Sequence, residues 1–236
     1  MNYLLNLENT EWRYERKYVF EAVLEPKVEL EIKQSRHVFN TAYPPRWVNN
    51  VYFDTKSLAS FFANINGSDQ RIKCRIRWYG DFDSAHPEAV LEFKVKNGLA
   101  GTKLLYPLKN FSSQKLGSLL DLRACFSESE LPESIRSYLL FVEPVLINRY
   151  YRKYYLSFNR KFRLTLDRNI GFASMIVKAD NKSAAMQRSD EIVVELKYDN
   201  AAAMDVLPVF EGLASRLSRN SKYVNSLSAL YPNLNF

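Results

Sequence analysis

Lys73-Cys74-Arg75-Ile76-Arg77-Trp78 alternates cationic side chains with side chains of low polarity. Successive residues of a β-strand point to opposite faces of the sheet. This stretch therefore predicts a strand with one basic face and one apolar face. The apolar face needs a covering layer, and the basic face needs either solvent or a negatively charged partner.

The same alternation recurs in four further segments. Their polar faces carry Arg13, Glu15 and Lys17; then Glu92, Lys94 and Lys96; then Lys161, Arg163, Thr165 and Asp167; and finally Glu195 and Lys197. For a single strand, a polar face turned to solvent is the simplest interpretation. As a set, these faces are dominated by Arg and Lys instead of the Thr, Ser and mixed charges of a typical solvated face. The pattern therefore favours an enclosed basic surface.

Amphipathic segments lie between the predicted strands. They predict helices over residues 26–39, 54–66, 200–217 and 221–230. These helices need apolar surface to pack on, and the apolar strand faces supply it. We therefore expect one α+β domain over residues 1–236, with helices outside a closed antiparallel sheet and charged faces lining its interior.

The charge balance indicates what such an interior binds. The 236 residues carry a formal net charge of +7, which points to a polyanionic partner. Like charges in an enclosed interior repel one another strongly, so a cationic lining requires bound anions. A row of phosphates, each with several acceptor oxygens, suits the forked donors of Arg and the point charge of Lys.

Cysteine usage and the first residues bear on the compartment. Cys74 and Cys125 are the only cysteines, and neither belongs to a CxxC pair or to Cys/His metal spacing. We therefore expect no disulfide framework and no structural zinc site, which indicates a reducing compartment. Residues 1–18 lack the basic and apolar regions of a signal peptide, and no apolar run is long enough to span a membrane. The expected location is cytoplasmic.

Eight segments carry a resemblance to a known family. They read RYERKYVF from Arg13, NNVYFDT from Asn49, RIRWYG from Arg75, LEFKVK from Leu91, INRYYRKYY from Ile147, RLTLD from Arg163, VVELKYD from Val193 and SKYVNSL from Ser221. In their order and spacing they resemble the VTC domain, the polyphosphate polymerase branch of the triphosphate tunnel (CYTH) superfamily.

This resemblance implies an antiparallel eight-stranded β-barrel, a triphosphate tunnel with helices packed on its outside. It assigns phosphate binding to Lys17, Arg75, Arg77, Lys94, Lys103, Arg149, Arg163, Lys197 and Lys222. It assigns catalysis to Lys17, Arg75, Arg77, Lys94, Arg149 and Glu195. Glu195 is also the expected ligand of Mn²⁺ or Mg²⁺, with Glu15 or Glu92 as a second ligand.

The implied activity is ATP-dependent polyphosphate synthesis, with ATP and polyphosphate as partners. One departure is Arg13-x-Glu15-x-Lys17, where the superfamily carries E-x-E-x-K. The loss of one carboxylate favours phosphate binding over water activation. Two alternatives stay open: a metal-dependent inorganic or nucleoside triphosphatase on the same scaffold, and a non-catalytic polyphosphate-binding module. Nucleic acid is not an expected partner, because its binders place basic residues on an open face.

Overall fold

The computed structural model describes residues 12–83, 86, 88–98, 100–176, 185–199, 201–206, 208–213 and 216–233. Within these residues the strands are β1 (Tyr14–Glu21), β2 (Phe39–Asp54), β3 (Gln70–Tyr79), β4 (Val90–Asn97), β5 (Ala100–Pro107), β6 (Glu143–Ser157), β7 (Arg163–Ser174), β8 (Gln187–Arg188) and β9 (Glu191–Tyr198). The α-helices are α1 (Glu25–Gln34), α2 (Ala59–Ile65), α3 (Leu119–Glu128), α4 (Glu133–Leu139) and α5 (Lys222–Leu230). None of these helices is both long enough and apolar enough to cross a membrane.

All of the strands belong to one antiparallel sheet. Its order is β1-β9-β7-β6-β2-β3-β4-β5, and the short β8 pairs with β7. The expected α+β class with an antiparallel sheet and helices is therefore confirmed. The expected closed, eight-stranded barrel is wrong, because the sheet has nine strands and no continuous ladder joins its edges among the described residues. Among the described residues, the two edges of the sheet are bridged just before β1 and near the start of β5, through reciprocal backbone hydrogen bonds of 3.0 and 3.1 Å between Arg13 and Gly101.

Helices cover the apolar strand faces. Cys74, Ile76 and Trp78 of the opening stretch are at most 1% exposed and belong to one core cluster with Leu122 of α3 and Ile135 of α4. Each large apolar side chain buried in this way contributes roughly 1.5–3 kcal/mol of hydrophobic stabilisation. The alternation of residues 73–78 thus fixes which face of β3 turns away from the helices.

A second layer covers the strands at the other side of the sheet. Val28 and Ile32 of α1 are fully buried and share a core cluster with Leu164 of β7 and with Val194 and Leu196 of β9. Because these apolar residues alternate with Arg163, Glu195 and Lys197, the charged side chains must face the opposite side. Both helical layers therefore leave the same face of the sheet for the charges.

The last helix, α5, is fixed by one capping residue and one buried phenol. Ser221 is the N-cap, and its hydroxyl accepts a hydrogen bond from the backbone N–H of Val224. The hydroxyl of Tyr223 donates to Oδ2 of buried Asp54 at 2.5 Å. The same Asp54 accepts hydrogen bonds from the backbone N–H groups of Ser60 and Phe61 in α2. These contacts anchor the first turn of α5 beside the charged face.

Other elements also differ from the sequence-based expectation. Residues 200–217 were predicted as a helix, but their described part contains only a short 3₁₀ turn at Ala203–Asp205. Pro208 and Gly212 interrupt that segment, and both oppose a continuous helix. Strand β5 and helices α3 and α4 were not predicted.

Candidate functional site

A cavity of about 570 Å³ lies against the charged face of the sheet. Both edge strands contribute to its lining, so the sheet curls around it. Ten of the eleven predicted site residues line this cavity: Glu15, Lys17, Arg75, Arg77, Lys94, Lys103, Arg163, Glu195, Lys197 and Lys222. Three cations that the sequence analysis did not assign, Arg13, Lys73 and Arg152, also line it. With Glu92, the lining contains eleven cationic side chains and three glutamates.

The eleventh predicted residue, Arg149, lies on the opposite face of the sheet. Its guanidinium carbon is 4.0 Å from the centroid of the Trp47 ring. The next residue, Tyr150, lines the cavity, and neighbouring residues of a strand point to opposite faces. The structure therefore does not bring Arg149 together with the other ten predicted site residues. On β6 it is Arg152 that faces the cavity.

Glu92 holds two arginines of β3 in place. It is 2% exposed; one of its oxygens accepts a hydrogen bond from Arg75, and the other lies 3.6 Å from Nη1 of Arg77. Burial alone would raise the pKa of Glu92, but the charges of Arg75 and Arg77 hold it well below its usual range. Arg77 also donates to Oδ1 of Asn50 at 2.8 Å. Both guanidinium groups are thus fixed before any ligand arrives.

Glu15 and Glu195 share a group of lysines. Lys17 Nζ lies 3.4 Å from Oε1 of Glu195 and 3.8 Å from Oε2 of Glu15. Lys94 Nζ donates to both oxygens of Glu15 at 2.7 and 2.9 Å, and Lys197 Nζ lies 2.9 Å from Oε2 of Glu195. Burial would raise the pKa of both carboxyls, but the surrounding lysines hold each pKa below its usual range. Both glutamates are therefore ionised at neutral pH.

A second fixed group lies where β6, β7 and α5 meet. Arg152 and Lys222 both contact Asp167, and both lie near the ring of Tyr150. The hydroxyl of Tyr150 accepts a hydrogen bond of 3.0 Å from Nη2 of Arg77. Burial would raise the pKa of Tyr150, but Arg152 and Arg77 lower it to about 8. The lowered pKa of this phenol is a consequence of the cations around the cavity.

Comparison with known proteins identifies the family of this chain. The VTC domain matches residues 12–231. The chain belongs to the VTC domain family. No curated protein matches the sequence.

Two solved structures show what the fold is similar to. One is a Hippeastrum protein described as an adenylyl cyclase with a dominant triphosphatase activity; it is 12% identical with a TM-score of 0.52, and the match covers 93% of this chain and 96% of that one. The other is a Vibrio parahaemolyticus protein described as an adenylate cyclase; it is 11% identical with a TM-score of 0.41, and the match covers 94% of this chain and 87% of that one. At such identities the Hippeastrum likeness shows the fold alone.

The carboxylates of this VTC domain suit a metal ion only in combination with phosphate oxygens. The described part of the chain contains no group of three or more His, Cys, Asp or Glu residues placed to hold a metal. Glu15 and Glu195 both contact Lys17, and both are ionised. Mg²⁺ is commonly bound by one or two carboxylates together with substrate phosphates. The donor set therefore fits a divalent ion whose coordination a phosphate chain completes.

Each of the missed cations carried some sequence signal, and Arg13 lies on the alternating polar face of Glu15 and Lys17. Lys73 begins the alternating stretch and so shares a face with Arg75 and Arg77, and all three side chains line the cavity. Arg152 lies two residues from Tyr150 and shares its face by the same rule. In β6, however, basic residues occupy both faces, and alternation alone does not say which face lines the cavity.

Proposed function

We propose that this VTC domain transfers the γ-phosphate of ATP onto a growing polyphosphate chain inside the cavity, with a divalent metal ion. One observation carries the proposal. Cations from seven strands and from α5 line a single cavity in which they outnumber the carboxylates eleven to three. In an enclosed site such an excess of positive charge is stable only with a polyanion bound.

The fixed geometry of the arginines supports a phosphate ligand. Arg75 and Arg77 are held by Glu92, and Arg152 is held by Asp167. A guanidinium presents its N–H donors as a planar fork that matches two phosphate oxygens. Because these side chains are already ordered, binding a phosphate chain costs little additional conformational entropy. Lys103 and Arg163 extend the same surface along the cavity.

The state of the glutamates supports transfer to phosphate over transfer to water. Hydrolysis benefits from a general base whose pKa lies near the working pH. All three glutamates of the cavity are paired with cations, and the pKa of each lies below its usual range. A terminal phosphate of a polyphosphate chain is already an ionised nucleophile and needs no such base.

The proposed step needs alignment and charge neutralisation. An oxygen of the chain's terminal phosphate forms a bond to the γ-phosphorus of ATP, the bond from that phosphorus to the β-phosphate oxygen breaks, and ADP leaves with the electron pair. Arg75, Arg77, Arg152 and Lys94 would hold the phosphates in line. Lys17 and Lys197 would stabilise the charge that develops on the transferring group and the leaving oxygen.

Glu195 and Glu15 would hold Mn²⁺ or Mg²⁺ together with substrate phosphate oxygens. The metal would supply charge neutralisation between phosphates. Glu92 is less suited, because Arg75 and Arg77 occupy its oxygens. Lys17, which contacts both candidate ligands, would be free to turn to the substrate once a cation replaces it.

The test is to incubate purified protein with ATP and Mn²⁺ and to size the phosphate products on a gel. The proposal expects phosphate chains that lengthen with time. Glu195→Gln should abolish this turnover yet retain much of the affinity for tripolyphosphate. Arg123→Gln, an exposed change on α3, serves as the matched control and should behave as wild type. Release of orthophosphate alone would identify a triphosphatase, and binding without turnover would identify a binding module; either result contradicts the proposal.

A further inference from the structure

Lys73 differs from the other cavity cations in what it contacts. Its Nζ donates a hydrogen bond of 2.7 Å to Oγ of Ser221, the N-cap of α5. Within the part of the chain that the structure describes, it forms no ion pair with a carboxylate. Lys94 and Lys17, in contrast, both pair with Glu15. Lys73 therefore has a neutral partner inside a strongly basic cavity.

Four cations from three strands act on Lys73, and two of them, Lys17 and Lys94, also contact the carboxylate of Glu15. Lys17 faces it from β1, Lys94 faces it from β4, and Arg71 and Arg75 flank it on β3. On α5 the next residue after Ser221 is Lys222, whose charge is matched by Asp167. Burial, followed by these four neighbouring cations, holds the pKa of the Lys73 ammonium well below its usual range.

We propose that Lys73 is a proton-linked phosphate ligand, which leaves Ser221, takes up a proton and binds an incoming phosphate chain as an ammonium group. The inference rests on the proposed function, since it needs a phosphate chain in the cavity. A phosphate placed among these cations supplies the negative charge that the neighbourhood lacks, and nearby negative charge favours the protonated amine. The proton comes from solvent and stays on Nζ while the chain is bound.

The consequence is a definite pH dependence of binding. Below the pKa of Lys73 in the free protein, the amine is charged both before and after binding, and no proton is taken up. Above that pKa, binding requires proton uptake, so the affinity for phosphate chains falls as the pH rises toward the pKa of the bound form. A lysine that is charged before and after binding adds no such dependence.

The experiment uses isothermal titration calorimetry of the full chain with tripolyphosphate at a series of pH values that runs from acidic to alkaline. Each titration is repeated in two buffers with different ionisation enthalpies, so that the difference in heat counts the protons exchanged. Lys73→Met removes the charge, Lys73→Arg keeps a permanent charge, and Lys161→Met is a control, because Lys161 pairs with Asp205 on the exposed surface. Protons released by tripolyphosphate itself are common to all variants, and the comparison between variants removes them.

The expected results separate binding from proton linkage. At the pH values above the pKa of Lys73 in the free protein, wild type and Lys161→Met should take up more protons than Lys73→Met and Lys73→Arg. Lys73→Met should weaken binding about tenfold, the loss expected for one charged hydrogen bond. Lys73→Arg should bind about as tightly as wild type while lacking the proton uptake.

Three outcomes would overturn the inference. They are unchanged affinity in Lys73→Met, proton uptake by Lys73→Arg that equals wild type, and weaker binding by Lys73→Met with an unaltered proton count. If Lys73→Met does not fold, the proton count of Lys73→Arg alone decides. The proposed function is tested separately: a wild-type protein that binds tripolyphosphate with Lys73-dependent proton uptake but makes no polymer refutes the polymerase and leaves this inference standing.

Discussion

Arg152 and Asp167 form a two-point contact between β6 and β7, with Nε to Oδ1 at 2.5 Å and Nη2 to Oδ2 at 2.7 Å. Asp167 is fully buried, and Lys222 of α5 approaches its Oδ2 at 2.5 Å. One carboxylate thus ties two strands and a helix together and orients two cations at the cavity wall. If the cavity binds phosphate as proposed, stability and binding are coupled at this residue.

Asp167→Asn should strongly destabilise the protein. The change leaves Arg152 and Lys222 without their counter-ion, and breaking a buried ion pair in this way costs roughly 3–5 kcal/mol. Urea denaturation followed by circular dichroism measures the free energy of unfolding. Asp121→Asn, at an exposed position in the first turn of α3, is the matched control and should cost less than about 1 kcal/mol. Equal stabilities for the two variants would contradict the role given to Asp167.

The loss of folding stability in acid should depend in part on the protonation of Asp167. Burial would raise the pKa of Asp167, but Arg152 and Lys222 lower it from 3.8 to about 2. Because the folded-state pKa lies below the unfolded one, its contribution is fully present above 3.8 and is lost as the pH falls toward 2. Wild type should lose about 2 kcal/mol over that window through this group. In Asp167→Asn that part of the acid dependence should be missing, and an identical pH profile would count against the assignment.

Arg163 and Arg149 provide a matched test of which sheet face binds phosphate. They lie on the neighbouring strands β7 and β6, but only Arg163 lines the cavity. Arg163→Gln should weaken tripolyphosphate binding about three- to tenfold, since it removes one cationic contact. Arg149→Gln should leave the affinity unchanged, because its guanidinium stacks on Trp47. Calorimetric affinities in the opposite order would place the phosphate on the outer face.

The pKa of Tyr150 should change when a polyanion binds in the cavity. Burial would raise the pKa of Tyr150, but the charges of Arg152 and Arg77 lower it to about 8. Titration of near-ultraviolet absorbance should therefore show one phenol ionising near this value and absent in Tyr150→Phe. Saturating tripolyphosphate should move its midpoint upward, because phosphates offset the cations. A titration midpoint that is the same with and without tripolyphosphate would argue against phosphates next to Tyr150.

Alternation predicted much of the cavity correctly because one face of each regular strand is covered by helices. In β3, Cys74, Ile76 and Trp78 bury themselves under α3 and α4, and Arg75 and Arg77 have only the other face available. The same rule applies to β1, β4 and β9. Local pattern and global packing agree there, so short-range reasoning suffices.

The prediction from alternation failed where the local pattern does not determine the packing. In β6 both faces carry cations, and the choice of Arg152 over Arg149 depends on Asp167, a partner on another strand. In β7 alternation breaks at Asn169, whose φ of 51° accompanies a shift in register against β6. Beyond that bulge Ile170 packs with Tyr150 and Val193 at the charged face. Whether a sheet closes into a barrel also depends on contacts between its distant edges, which no segment encodes by itself.

The central claim is that a phosphate chain occupies the cavity, and a crystal structure with tripolyphosphate and Mn²⁺ tests it most directly. The account predicts phosphate oxygens within hydrogen-bond distance of Arg75, Arg77 and Lys94, with the metal beside Glu195. Phosphates bound only on the outer face near Arg149, or an empty cavity at saturating ligand, would contradict it.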